Sequence, residues 1–175
     1  MAHDKIHTMA RVLIIAYGNP LRCDDGLAWR AANQLEEKLS TSEIEILRVH
    51  QLTPELAEAV CRCDAVIFVD AAAAAAADGG NGQPGRVRSG EIELTREPPP
   101  FSHQLSPGAV VTLARQVYGA APRAFSATLT GQCFDHGDSL SDVVEGAIPL
   151  LVARIVELVQ FEQSREPLPP LSNKA

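Results

Sequence analysis

The sequence predicts an α/β fold, a three-layer sandwich with a mainly parallel, twisted sheet of about five strands and helices on both faces. Two short apolar runs, residues 11–17 and 65–70, are rich in β-branched residues, which is typical of strands buried on both faces. Amphipathic helical patterns and more polar strand patterns alternate with these runs along the chain. This order is that of β-α-β units, so we expect the strands to run mainly parallel.

Each remaining element follows from a local pattern. Apolar residues at helical spacing, capping residues followed by proline, and apolar–polar alternation mark the helices and strands. In chain order they predict a helix over 26–39, a strand over 43–49, a helix over 54–60 that Thr53 caps, an edge strand over 90–95, a helix over 106–118 that begins at Ser106-Pro107, a strand over 124–130, and a helix over 139–161 interrupted or bent at Pro149.

The domain organisation is simple. With 175 residues the chain is long enough for one domain with a sizeable core and short for two. We predict a disordered leader over 1–10, a single α/β domain over 11–162 and a flexible tail over 163–175. A run of seven alanines followed by glycines predicts a long, adaptable loop over 71–82.

Charge and hydrophobicity exclude several classes of partner. The formal net charge is −7 and Lys or Arg residues form no dense run, so nucleic acid and anionic membranes are not expected partners. The sequence has neither an apolar stretch long enough to cross a bilayer nor a signal peptide. The four cysteines match neither a disulfide framework nor a structural zinc pattern. We therefore expect a cytoplasmic protein with reduced thiols.

Polar residues collect at the predicted carboxyl ends of the strands, where ligands of open α/β sheets bind. Asp24 and Asp25 follow the first strand, Asp70 ends the third, and His103 precedes a helix. Helix capping explains one of the two adjacent aspartates, and a charge directly after a buried strand is costly unless it is paired. Two carboxylates and an imidazole form a ligand set suited to a divalent transition metal.

Three segments together carry a resemblance to a known family. GNPLRCDDG after the first strand, VIFVDA at the third, and FSHQLSPG before a helix resemble the [NiFe]-hydrogenase maturation proteases in order and spacing. The likeness extends over residues 11–159. The resemblance implies that Asp25, Asp70 and His103 are both the metal-contacting and the catalytic residues. Two departures are an aspartate at Asp25, where many relatives have glutamate, and Ala28, where glycine is frequent.

The resemblance also implies a reaction. Such proteins remove a C-terminal extension from the precursor of the hydrogenase large subunit after nickel has been inserted. The partner is then that precursor, and the nickel belongs to the substrate, so the isolated protein is expected to carry none. Nickel could polarise the scissile carbonyl or activate a water, or it could only dock the substrate while a carboxylate activates the water. The sequence leaves both routes open.

Two rival functions share these residues. The first is a non-catalytic chaperone that binds the nickel-loaded precursor without cutting it. The second is a phosphoacceptor module similar to response-regulator receivers, but here the acidic pair stands well beyond the strand end and no lysine follows the strand at 124–130. Cys23, close to the predicted site, is interpreted as a spectator thiol. Cys133 and His136 form a weak C-x-x-H pattern that could line the cleft.

Overall fold

The computed structural model describes residues 11–39, 41–73, 82–93, 105–120 and 122–166. Strands and helices alternate in the order that the sequence predicts. They are β1 (Val12–Tyr17), α1 (Leu27–Lys38), β2 (Ile44–Val49), α2 (Leu56–Val60), β3 (Ala65–Ala72), β4 (Val87–Glu91), α3 (Pro107–Tyr118), β5 (Arg123–Thr130) and α4 (Asp142–Gln163), with a 3-10 turn at Cys23–Gly26 before α1.

The strands form one sheet in the order β2-β1-β3-β5-β4. Neighbours are parallel except β4, which runs antiparallel to β5 at the edge. The chain leaves β1 toward β2 and then returns across β1 to β3, so the strand order reverses between β1 and β3. Such a switch point opens a crevice at the carboxyl ends of the two strands. The predicted α/β class with a mainly parallel sheet is confirmed.

Helices cover both faces of the sheet, which makes the predicted three layers. One core, centred on Ile14 and Ile67, packs against α1 and α4. The other, centred on Ile15 and Phe68, packs against α2 and α3. Because successive strand residues point to opposite faces, the apolar runs of β1 and β3 supply both cores, which explains why neither strand alternates in polarity.

The edge strand lies earlier in the chain than predicted. Sequence alternation placed it over 90–95, whereas β4 ends at Glu91, and Ile92 and Glu93 lie beyond it. Its position is set by Gly85, which has a φ of 82° and donates its N–H to the carbonyl of Thr130 at 2.8 Å. Pairing with β5 starts directly after this turn. The strand is mostly polar, so hydrophobic alternation could not reveal it.

The third strand is longer than predicted. Ala71 and Ala72 pair with Leu129 and Thr130, so the start of the alanine run belongs to β3 and not to a loop. The reason is β5, whose full length offers backbone partners to both alanines. Asp70 therefore lies inside the strand, close to its carboxyl end. Residues 74–81 of the predicted loop are outside the described part of the chain.

Among the helices of the described residues, α3 alone begins at a side-chain cap. The side chain of Ser106 accepts a hydrogen bond from the N–H of Ala109 at 3.2 Å, as the Ser-Pro pattern predicts for α3. The predicted cap of α2 by Thr53 is wrong, because α2 begins at Leu56 with Glu55 at its N-cap position and no side-chain cap. The last helix starts at Asp142, later than the predicted 139, with Pro149 in its interior. Among the described helices, none combines the length and apolarity of a membrane span.

The predicted leader, 1–10, and residues 167–175 of the predicted tail lie outside the described residues. Gln163, where the tail was predicted to begin, is the last residue of α4. The guanidinium of Arg11 donates to the carbonyls of Gln163 and Arg165 at 3.1 and 2.8 Å. These bonds fasten the end of α4 to the start of β1.

Candidate functional site

The crevice between β1 and β3 holds two of the predicted site residues. Asp25 belongs to the 3-10 turn after β1, and Asp70 lies near the carboxyl end of β3, the next strand in the sheet. The negative charge of Asp25 contributes to the raised pKa of the Asp70 carboxyl. His103 lies outside the described residues, and its assignment stays a prediction.

The loop between β1 and the 3-10 turn is shaped by close backbone contacts. Gly18 has a φ of 137°, and a Cβ there would stand 2.1 Å from the carbonyl oxygen of Asp25. The N–H of Asn19 donates to Oδ2 of Asp25 at 2.9 Å. This bond uses one carboxylate oxygen and leaves Oδ1 with no hydrogen bond among the described residues. The loop therefore holds the Asp25 carboxylate in a fixed orientation.

The adjacent aspartates have different roles. Asp24 is fully buried, and its carboxylate accepts hydrogen bonds from the N–H groups of Gln132, Cys133 and Ser141 and from the Ser141 hydroxyl, at 2.7 to 2.9 Å. Burial alone would raise the pKa of Asp24, but these hydrogen bonds outweigh it and lower the pKa. Asp24 thus ties the first loop to the loop between β5 and α4. Asp25 makes none of these contacts between the two loops.

The surroundings of Asp70 raise the pKa of its carboxyl. Burial raises the pKa of this carboxyl to about 6, against hydrogen bonds from Tyr17 and from the N–H of Ala71, and the Asp25 charge adds to the rise. The bond from Ala71 is 2.7 Å long. The same environment raises the pKa of Tyr17, through burial first and then through Asp70. A carboxyl with this pKa titrates near the pH of most enzyme reactions.

Two acidic side chains at one crevice would suit a cation. Like charges in a partly dry crevice repel, and a divalent ion between them would remove that repulsion. Within the described residues, no group of three or more His, Cys, Asp or Glu side chains is arranged to hold a metal. A metal bound by Asp25 and Asp70 would therefore need at least one further ligand from outside the described residues or from a substrate.

A row of polar side chains crosses the sheet at Asp70. The sequence did not predict the other members of this row. The register places Tyr17 of β1 beside Asp70, then Thr128 of β5, then Arg88 of β4. Because residues paired across strands share a face, all four belong to the face covered by α2 and α3. The parallel alignment of β1 with β3 would have revealed Tyr17, but Arg88 required the position of β4, which the sequence misplaced.

A cavity of about 320 Å³ lies on the same face of the sheet. It is lined by Ile92 and Glu93 after β4, by the first turn of α3, and by Ser126, which is on the Asp70 face of β5. Its walls are mixed polar and apolar, as a short extended peptide segment requires.

Comparison with solved structures identifies the fold. The hydrogenase maturating endopeptidase HybD from E. coli matches with a TM-score of 0.71 and 23% identity, over 91% of this chain and 98% of that one. The [NiFe] hydrogenase maturation protease HybD from Thermococcus kodakarensis matches with a TM-score of 0.63 and 25% identity, over 85% and 98%. The [NiFe] hydrogenase maturation protease HycI from that organism matches with a TM-score of 0.67 and 20% identity, over 86% and 93%. The chain has the hydrogenase maturation protease fold.

These matches confirm the resemblance that the three sequence segments indicated. They span nearly the whole of each solved chain, so the likeness is that of a complete domain and not of a shared sheet alone. No model of a protein family matches the sequence, and no curated protein matches it. At this level of sequence identity the matches establish the fold. The role of each residue depends on the geometry and chemistry of the site.

Two cysteines near the site, Cys23 and Cys133, are not part of the carboxylate pair. Cys23 is in the 3-10 turn with a φ of 44°, and a hydrogen bond to Cys133 raises the pKa of its thiol. The Cys133 sulfur is 4.0 Å from Oδ2 of Asp135, and His136 is exposed. The C-x-x-H pattern of Cys133 and His136 thus belongs to the β5–α4 loop that Asp24 binds.

Gly18 offers a test of how strictly the maturation protease fold requires this loop. We expect Gly18→Ala to lower the free energy of unfolding by more than about 3 kcal/mol and to stop processing, because the new Cβ would overlap the Asp25 carbonyl as well as strain the backbone. Gly119→Ala is the matched control: its φ is 70°, but no atom lies within 4 Å of the added Cβ. Strain alone should cost it about 1 kcal/mol. Urea unfolding of both variants makes the comparison, and equal losses would contradict it.

Proposed function

We propose that this protein is an endopeptidase that removes the C-terminal extension of a nickel-loaded [NiFe]-hydrogenase large-subunit precursor. The observation that carries the proposal is the carboxylate pair Asp25 and Asp70 at the switch point of a hydrogenase maturation protease fold. The solved neighbours are named as endopeptidases or proteases of hydrogenase maturation. The reaction class is therefore hydrolysis of a peptide bond in a protein substrate.

Nickel enters this reaction as part of the substrate. Asp25, in the 3-10 turn after β1, and Asp70, in β3, are the proposed oxygen donors, and His103 is the proposed nitrogen donor. A site with few protein ligands suits an ion that arrives already bound by the precursor, because it leaves positions for the precursor's own ligands. Repulsion between the two carboxylates disfavours closure of the crevice without the ion, which gives a physical reason to bind the loaded precursor more tightly.

The protein's own groups then handle the proton and the peptide. Bound nickel supplies positive charge that stabilises charge developing on oxygen. Asp70 is more basic than an ordinary aspartate, so it is the proposed acceptor of the proton from the attacking water. Tyr17 holds the Asp70 carboxyl in place by its hydrogen bond, and Asn19 does the same for Asp25 through its N–H. The cavity beside α3 is the proposed site for substrate residues that flank the scissile bond.

The partner and the compartment follow from this function. Large-subunit precursors are the proposed partners, and the cytoplasm, where metal insertion would precede cleavage, is the proposed location. Neither a nucleic acid nor a membrane takes part in the proposed reaction.

The deciding experiment compares nickel-loaded with nickel-free precursor. Purified protein is incubated with each form, and the intact mass of the precursor is followed. We expect the C-terminal fragment to be lost from the loaded form alone. Asp25→Ala and His103→Ala should abolish this loss, whereas Asp142→Asn, a change at the exposed start of α4, should leave it intact. Stable binding of the loaded precursor without cleavage would instead support the chaperone function, and cleavage by both site variants would refute the site.

A further inference from the structure

Two cysteines lie side by side where the first loop meets the β5–α4 loop. Cys23 is in the 3-10 turn and Cys133 follows β5, far away in sequence. The Cys133 thiol is the largest cause of the raised pKa of the Cys23 thiol. All four cysteines of the chain are free thiols, and both members of this pair are partly exposed.

Backbone contacts hold the two cysteines together. The N–H of Asp24, the residue after Cys23, donates to the carbonyl of Cys133 at 3.0 Å, and the N–H of Cys133 donates to the Asp24 carboxylate at 2.9 Å. The N–H of Cys23 donates to the carbonyl of Gly137 at 2.8 Å. A Cβ added at Gly137 would stand 2.9 Å from the Cys23 sulfur, so a side chain there would displace the thiol. The folded backbone thus holds the two cysteine residues next to each other before any bond forms.

We propose that Cys23 and Cys133 are a redox-active dithiol that a small-molecule disulfide oxidises to a reversible Cys23–Cys133 disulfide. Such a bond requires close Cα atoms and facing Cβ atoms, which the Asp24 contacts favour here. The other two cysteines differ. The Cys61 and Cys63 thiols donate to the carbonyls of Glu58 and Val60 at 3.1 and 3.3 Å, back toward α2.

The reaction is a balanced thiol–disulfide exchange. The sulfur of one cysteine attacks the small disulfide, which forms a mixed disulfide and releases one small thiol. The second cysteine attacks the protein sulfur of that mixed disulfide and releases the other small thiol. The protein loses two protons and two electrons, and the small disulfide gains them to become two thiols.

The disulfide would act on the candidate site through Asp25. This effect on activity rests on the proposed function. A sulfur–sulfur bond is about 2.05 Å long, shorter than any contact between two free thiols. Closing it draws the 3-10 turn toward the β5–α4 loop, and Asp25 is part of that turn. Because catalytic groups tolerate little displacement, we expect the oxidised form to process precursor about 10- to 100-fold more slowly.

The chemistry is tested on the full-length protein without any substrate. The protein is equilibrated with mixtures of oxidised and reduced glutathione, remaining thiols are blocked, and intact mass and peptide maps are recorded. We expect a loss of about 2 Da and a Cys23–Cys133 cross-linked peptide that dithiothreitol removes. Cys61→Ser should still form the cross-link, and Cys133→Ser should not. Glutathione on single cysteines without the cross-link, or a Cys61–Cys63 bond, would overturn the proposal.

The regulatory effect is measured separately with nickel-loaded precursor. The oxidised protein should be slow, dithiothreitol should restore the rate, and Cys133→Ser should process equally fast with and without oxidised glutathione. A cross-linked protein that keeps the full rate overturns the regulation. Failure of the reduced protein to process would count against the proposed function alone, because the cross-link is read from mass and not from activity.

Discussion

An Asp70→Asn variant is expected to process precursor at least about a thousandfold more slowly than the parent protein while gaining stability at neutral pH. The activity falls because the amide keeps the shape of the side chain but has no charge to offer nickel and no lone pair basic enough to take a proton from water. Its size leaves the packing around β3 unchanged. The loss would therefore be chemical and not a consequence of misfolding.

The gain in stability follows from the direction of the pKa shift. The pKa of Asp70 is about 6 in the folded protein against an ordinary value of 3.8, so the folded state holds a proton that the unfolded state has released between these pH values. Stability conferred by this group is complete below about pH 4 and falls as pH rises to about 6. The difference corresponds to about 3 kcal/mol at pH 7, which the neutral amide should recover in part.

Urea unfolding of both proteins from pH 4 to pH 8 measures this effect. The parent protein should lose stability across the window between about pH 4 and 6, and the Asp70→Asn protein should show a flatter profile there. Asp142→Asn, at an exposed position on α4, is the control and should follow the parent. Identical profiles for parent and Asp70→Asn would mean that Asp70 is an ordinary solvated aspartate, and the argument for its basicity would fail.

The sequence predicted the elements whose patterns are local. The runs of β1 and β3 are uninterrupted apolar segments because both of their faces are buried, and the Ser106-Pro107 start of α3 depends only on its own first turn. The edge strand β4 was misplaced because its position depends on the turn at Gly85 and on the length of β5. Neither feature leaves a hydrophobic pattern in the edge strand itself.

The site residues also differ in this way: some could be predicted from local sequence, and others depend on contacts between distant segments. Asp25 and Asp70 could be proposed from sequence because ligands of α/β sheets bind beyond the carboxyl ends of strands, and both residues fall there. The different roles of Asp24 and Asp25 could not, since Asp24 takes its partners from more than a hundred residues away. Tyr17 was missed for a similar reason: only the register of β1 against β3 places it beside Asp70.

The long-range contacts of Asp24 lead to a large expected effect on stability. Asp24→Asn should lower the free energy of unfolding by about 3 kcal/mol, because the amide nitrogen would face N–H donors that now bind the carboxylate, leaving buried donors unpaired. Ser141→Ala, which removes the hydroxyl donor alone, should cost about 1 kcal/mol. Asp138→Asn is the matched control on the same loop: its only side-chain hydrogen bond among the described residues is from the neighbouring Ser139, and little change is expected.

Thermal unfolding ranks the three variants, with a fall in Tm of about 6–12 °C for Asp24→Asn. The pH dependence adds a second readout. Because the pKa of Asp24 is lowered in the folded state, its stabilisation is present above about pH 4 and lost as the pH falls further, so the Asp24→Asn protein should converge with the parent in acid. Processing should fall with stability, since the first loop would lose the contact that positions Asp25. Equal Tm values for Asp24→Asn and Asp138→Asn would show that the two loops are held by other contacts.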